Sequence, residues 1–114
     1  MNVLVTGGGG FLGRYIVEQL VERGDRVRVL CRQQYPELTA LGVEQVPGDV
    51  ADMPAVDRAV RDMDRVFHVA AMVGFWGAYR DYFRTNVIGT QNIIDACVAH
   101  GVKKLVYTSS PSVT

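Results

Sequence analysis

The sequence predicts an α/β fold, a doubly wound parallel sheet with its strands in the order 3-2-1-4-5. Three observations carry that expectation. Short apolar or alternating runs recur along the chain, separated by stretches of helical periodicity. The first run, Asn2–Thr6, leads into four consecutive glycines, Gly7 to Gly10, and then into a helical pattern. Glycines follow the two best-defined helical stretches, at Gly24 and Gly101, where helix ends favour them. Right-handed crossovers between parallel strands then set the first strand inside the sheet, between the second and the fourth.

Each element follows in turn. Asn2–Thr6 is a short apolar strand, and Phe11–Arg23 is a helix expected to turn Leu12, Tyr15, Ile16 and Leu20 inward. Arg26–Cys31, RVRVLC, alternates with period two and is a strand. Pro36 lies in a connection with room for a helical turn, and VEQVPGDV holds a short strand that Pro47-Gly48 ends. Asp52 stands at the cap of a helix running to about Asp64, with Pro54 in its first turn. Met53, Val56, Val60 and Met63 share one face of that helix. RVFHVAA is the fourth strand, Tyr79 to His100 a long helix, and KKLVYTSS the fifth strand. The chain is expected to be one domain, residues 1–114, forming the front part of a longer protein. SSPSVT follows the fifth strand without the closing helix and sixth strand usual in such sheets. A minimal free-standing domain is the alternative.

Composition narrows the function classes. The 114 residues are 48% apolar and 21% charged, with a formal net charge of zero. That allows one modest core, and it disfavours a nucleic-acid or membrane-surface partner held by bulk charge. The most apolar stretch, VFHVAAMVGFWGAY, is too short and too broken by Gly and His for a membrane span. No secretory leader is expected. Cys31 and Cys97 match no metal spacing, so no metal is expected, and they fit a reducing, cytoplasmic compartment as two buried thiols.

The glycine run carries the first functional signal. Between a strand and a helix, such a loop sets backbone N–H groups and a helix N-terminus against a phosphate. Two registers are open: Gly8-x-Gly10-x-x-Gly13, and Gly7-x-x-Gly10-x-x-Gly13 behind Thr6. A P-loop is excluded, because Arg14-Tyr15 follows Gly13 where Lys-Ser/Thr is required. The carboxylate that would hold a ribose diol at the end of the second strand is missing, and Cys31-Arg32 stands there. Arg32 suits a 2′-phosphate, which favours NADP(H) over NAD(H); a solvated loop arginine is the alternative.

Thr6-Gly7-x-x-Gly10-x-x-Gly13, with GDVAD, HVAAMV, TNVIGTQNIIDAC and YTSSPSVT, resembles the extended short-chain dehydrogenase/reductase superfamily across essentially the whole chain. The resemblance favours the Gly7 register and a Rossmann-type sheet. It implies that Gly7, Gly10, Phe11, Leu12 and Gly13 surround the cofactor phosphates and that Asp49 and Val50 flank the adenine. On spacing alone, Asp49 equally caps the next turn. Val69, Ala70 and Ala71 would pass beneath the ribose, although Ala-Ala at a strand end is also plain packing. Asn86 would stand near the nicotinamide, and Gly89 would mark a close helix contact. The resemblance puts the family's catalytic Ser at Ser110, with Ser109 the open neighbour. His68 reads as a satisfied core or edge histidine rather than a catalytic base.

GFWGAYRDY, with RQQYPEL and LGVEQVPGDV, is similar to the 3β-hydroxysteroid dehydrogenase-like branch and to bacterial reductases of 2-alkyl-3-oxoalkanoates. Phe75 and Trp76 would then line a substrate entrance, or else serve as ordinary core aromatics. The implied reaction moves hydride between a nicotinamide cofactor and a 3-keto or 3-hydroxy group on a bulky apolar small-molecule substrate, such as a sterol or a 2-alkyl-3-oxoalkanoate. The implied assembly is a homodimer through the helix Tyr79–His100. The family's Tyr-x-x-x-Lys pair is absent, since no Tyr has Lys four residues on and the lysines are Lys103 and Lys104. The 114 residues alone are therefore expected to be inactive. A nucleotide-sugar epimerase or dehydratase shares the cofactor motifs, but Phe75-Trp76 and Cys31-Arg32 disfavour it. A non-catalytic dinucleotide-binding regulator on the same fold is the other alternative.

Overall fold

The computed structural model describes residues 1–7, 11–73 and 79–112, with side chains described for 1–7, 12–69 and 87–108. The strands β1 (Asn2–Thr6), β2 (Arg26–Cys31), β3 (Glu44–Pro47), β4 (Arg65–Val73) and β5 (Lys104–Ser112) form a sheet in the order β3-β2-β1-β4-β5. All the pairings are parallel, with Thr6 opposite Leu30 on one side and His68 on the other. The helices are α1 (Phe11–Glu22), α2 (Pro36–Ala40), α3 (Met53–Val60) and α4 (Tyr79–His100).

The period of two along β1 divides the core. Val3 and Val5 pack with Val17 and Leu20 of α1, Leu38 of α2, and Val27 and Val29 of β2. Leu4 points the other way, into Val56 and Val60 of α3, Val66 of β4 and Ile93 of α4. Burying each such side chain contributes about 1.5–3 kcal/mol, so both faces of the sheet must be covered for either helix layer to persist. Met53 of α3 packs against this cluster as expected, and Met63 joins it from beyond the helix end.

Two expectations need correction. Tyr15 is exposed, not inward. The face of α1 that meets the sheet runs through Gly13, Val17 and Leu20, with Leu12, Ile16 and Val21 half-buried. A glycine on the contact line lets the helix approach closely, and Tyr15, two residues on, is carried to the far side. Helix α3 also stops at Val60, not near Asp64. Arg28 on β2 reaches its last turn, where Nη1 donates to the carbonyls of Ala59 at 3.0 Å and Arg61 at 2.9 Å. Asp62 turns left-handed at φ 66°, and Asp64 joins β1 by bonds to Asn2 at 2.8 Å from both backbone and side chain. Asp52 holds the N-cap position of α3, but its side chain makes no capping bond.

Among the described residues no helix is long and apolar enough to cross a membrane, and no group of three His, Cys, Asp or Glu could hold a metal.

Candidate functional site

In a parallel sheet of this order the chain leaves β1 and β4 toward opposite faces, which opens a crevice at their C-terminal ends. Gly7 stands at that crevice. It follows β1 with φ 74°, and a Cβ built on it would lie 2.8 Å from the carbonyl oxygen of Val69. Backbone conformation and close approach both require glycine here. Leu12 and Gly13 lie in the first turn of α1, half-buried and buried.

The end of β2 supplies the next group. Arg32 is exposed there and forms no ion pair among the described residues. Cys31 is buried, its Sγ 3.6 Å from Oε1 of Gln45, and burial pushes the thiol's pKa up, so it stays neutral. Gln45 is itself fixed by Tyr35 N at 2.9 Å and Thr39 Oγ1 at 2.9 Å. The tip of β2 thus offers a cation and no anion.

Beyond β3, Asp49 takes the turn-forming role that its spacing allows. Its Oδ1 accepts from Ala51 N at 3.0 Å, and its carbonyl accepts from Asp52 N at 2.9 Å. Val50 is held from the other side by α4. Asn92 Nδ2 donates to the Val50 carbonyl at 2.9 Å, and a Cβ on Gly89 would stand 2.5 Å from Val50 Cγ2. The close helix contact expected at Gly89 is therefore with the Asp49–Val50 segment. Asn92 was not singled out from the sequence. Its signal was the three-residue step from Gly89, which sets both on one helix face.

His68 is buried and satisfied. Its Nδ1 lies 2.7 Å from Thr6 Oγ1 and its Nε2 lies 2.9 Å from Thr90 Oγ1. Burial holds the imidazole pKa below the ordinary histidine value, which keeps it neutral. It is a core histidine, as the sequence suggests.

Gly7, Leu12, Gly13, Arg32, Asp49 and Val50 thus follow the C-terminal ends of β1, β2 and β3, and Val69 stands on β4 just past the point where Thr6, the last residue of β1, pairs with His68. Ala71 is paired in register with Ser110, and Ala70 with Ser109, on β4 and β5. For Phe11, Ala70, Ala71, Asn86 and Ser110 only the backbone is described, and Gly10, Phe75 and Trp76 lie outside the described residues. A depression lined by Met1, Asp64, Arg65, Lys103 and Lys104 sits at the opposite, N-terminal edge and includes none of the candidates. The donor set fits a dinucleotide. Gly7 meets the Val69 carbonyl with no side chain between them just before α1, and Arg32 is an exposed cation at the end of β2, both suited to phosphate oxygens.

Residues 4–114 match the 3-beta hydroxysteroid dehydrogenase/isomerase family. The chain belongs to that family. It is 56% identical over 114 residues to a 2-alkyl-3-oxoalkanoate reductase of Stenotrophomonas maltophilia, covering 100% of this chain and 34% of the relative. It is 40% identical over 119 residues to a 3-beta-hydroxysteroid dehydrogenase of Mycolicibacterium neoaurum, covering 98% of this chain and 32% of that protein. The chain spans about a third of the length of the curated relatives it matches. A crystal structure of a short-chain dehydrogenase/reductase superfamily protein from Agrobacterium tumefaciens with bound NAD superposes with a TM-score of 0.83 at 34% identity. That match covers 96% of this chain and 33% of that one.

Proposed function

We propose that this chain is the cofactor-binding part of a nicotinamide-dependent oxidoreductase. The reaction moves hydride between NADP(H) and a 3-keto or 3-hydroxy group on a bulky apolar substrate, a sterol or a 2-alkyl-3-oxoalkanoate. The observation that carries this reading is the Gly7 turn against Val69, in a chain 56% identical to a 2-alkyl-3-oxoalkanoate reductase.

When bound, the dinucleotide supplies or accepts the hydride. This chain's own residues hold it and orient the substrate. Gly7, Gly10, Phe11, Leu12 and Gly13 bring backbone N–H groups and the N-terminus of α1 to the pyrophosphate. Arg32 meets the 2′-phosphate with a charge-assisted hydrogen bond. Asp49 and Val50 flank the adenine, steadied by Asn92 and Gly89. Val69, Ala70 and Ala71 lie under the ribose, and Asn86 stands toward the nicotinamide. Ser110 donates a hydrogen bond to the substrate oxygen, and Phe75 and Trp76 line the way in. The family's Tyr-x-x-x-Lys pair lies outside these residues, so the 114-residue chain alone turns nothing over.

Two copies of the full-length protein pair through α4, in the cytoplasm. Val87, Ile94 and Val98 form an exposed apolar stripe along that helix, while Ile93 is taken up by the core. Sedimentation of a stable monomer at micromolar concentration would contradict the pairing.

The test of function is reduction of a 3-keto substrate by the full-length polypeptide carrying this sequence, with Ser110→Ala beside it. Loss of one hydrogen bond to the reacting oxygen lowers kcat by roughly 10²–10³ while cofactor Kd stays put. Equal and small effects of Ser110→Ala and Ser109→Ala would remove the catalytic assignment.

A further inference from the structure

Thr6 and His68 are the buried polar side chains of the described core, at 1% and 3% exposure, and they bond to each other. Both face the α3 and α4 side of the sheet, among apolar neighbours such as Leu4 and Val66. A polar pair in that setting gains little over two apolar side chains of equal volume, and it costs stability wherever a partner is missing. Here nothing is missing. His68 reaches Thr6 through Nδ1 and Thr90 through Nε2, and each hydroxyl can donate or accept as the ring tautomer requires. Tyr107 of β5 closes the third side, its ring centre 5.6 Å from the imidazole at an angle of 52°. One side chain on β4 therefore ties together β1, α4 and β5.

The place of this link matters more than its strength. Thr6 is the last residue of β1, and Gly7 follows it directly into the glycine turn. Val69, whose carbonyl leaves room beside Gly7 only for a glycine, follows His68. A shift of Thr6 relative to β4 would move the Gly7 turn against that carbonyl. On the far side, Thr90 shares a helix turn with Gly89 and Asn92, the two residues that hold Val50.

We infer that His68 is a positioning residue for the dinucleotide site, fixing the glycine turn at one end and its register against α4 at the other. This rests on the dinucleotide reading above. His68 does not touch the cofactor; it acts through Thr6 and Thr90.

The experiment uses the full-length polypeptide and begins with direct titration of the unsubstituted protein by NADPH and NADH. Binding of neither would overturn the dinucleotide reading, and this inference with it. Given binding, Thr90→Val deletes one hydroxyl at nearly constant volume, at a site beyond the phosphate turn. It should raise the dinucleotide Kd about tenfold, equivalent to about 1.4 kcal/mol. Thr90→Ser keeps the hydroxyl and should keep the affinity. His68→Phe should raise Kd at least as far, with KM for the cofactor rising and kcat holding. If His68→Phe fails to fold, the Thr90 pair decides alone. A Thr90→Val protein that melts earlier yet binds dinucleotide as tightly as the unsubstituted one would reduce the link to packing and overturn the inference.

Discussion

Gly89 and Val50 are in contact where no side chain could fit between them: a Cβ on Gly89 would lie 2.5 Å from Val50 Cγ2 and 2.9 Å from Val50 Cβ. Val50 cannot withdraw easily, because its carbonyl is bonded to Asn92 and its β-branched side chain is stiff. Gly89→Ala would gain about 1 kcal/mol of helix propensity but lose roughly 1–3 to overpacking. The expected outcome is a net loss of stability of up to about 2 kcal/mol by denaturant titration. Asn92→Ala, with no clash, should loosen the same segment and weaken dinucleotide binding.

Gly7→Ala is expected to be worse. The left-handed backbone alone costs about 1–2 kcal/mol for an alanine, and the new methyl meets a backbone carbonyl that cannot rotate away. Gly24 separates the two effects: its φ is 89°, but nothing lies within 4 Å of its Cβ position. Thermal melts should show both substitutions destabilising. Isothermal titration should show that only Gly7→Ala loses dinucleotide.

Acid stability should register the pair that joins α3 to α4. His100 Nε2 lies 2.8 Å from Asp57 Oδ1, and that bond, more than the nearby Arg61, holds the Asp57 carboxyl below its ordinary range. A folded-state pKa below the unfolded one favours folding wherever the group is ionised in both states. The contribution is complete above the ordinary carboxylate range and fades as pH falls through the folded value. Asp57→Asn should therefore lower Tm slightly at neutral pH, and its curve should meet that of the unsubstituted protein in acid. A gap that persists at low pH would mean that the asparagine disturbs packing instead.

Much of this could be read from the chain because period and punctuation agree. The strands from Asn2 and Arg26, the limits of Tyr79–His100 and the strand order follow from apolar spacing and from glycines at helix ends. Tyr15 was misplaced because hydrophobic size suggests an inward face, whereas Gly13 sets the line of closest approach. The early end of α3 depends on Arg28, an arginine three elements earlier on β2 whose guanidinium takes the last carbonyls. No local pattern announces such a cap. Likewise His68 could be recognised as a core residue, but its partners come from β1 and α4 and appear only when the sheet is assembled. At the candidate site, Gly7 and Gly89 were legible because each meets a geometric demand that only glycine satisfies. Asp49 was legible only as a choice between a turn and an adenine contact, and the turn bond to Ala51 is the one seen.

The most direct measurement is a titration of the full-length polypeptide with NADPH and with NADH at one fixed salt concentration, repeated for Arg32→Ala. Cys31 should be left alone, because an aspartate there would face Gln45 Oε1, an acceptor already engaged with Tyr35. Arg32 stands exposed at the end of β2, and the proposed charge-assisted bond to a 2′-phosphate would contribute roughly 1.5–3 kcal/mol, about one to two decades of affinity. Both dinucleotides should bind, NADPH the tighter by that margin, and Arg32→Ala should erase most of the difference while sparing NADH. Tighter binding of NADH, or a ratio unmoved by Arg32→Ala, would make Arg32 a solvated loop residue. Failure of either dinucleotide to bind would contradict the account at its centre.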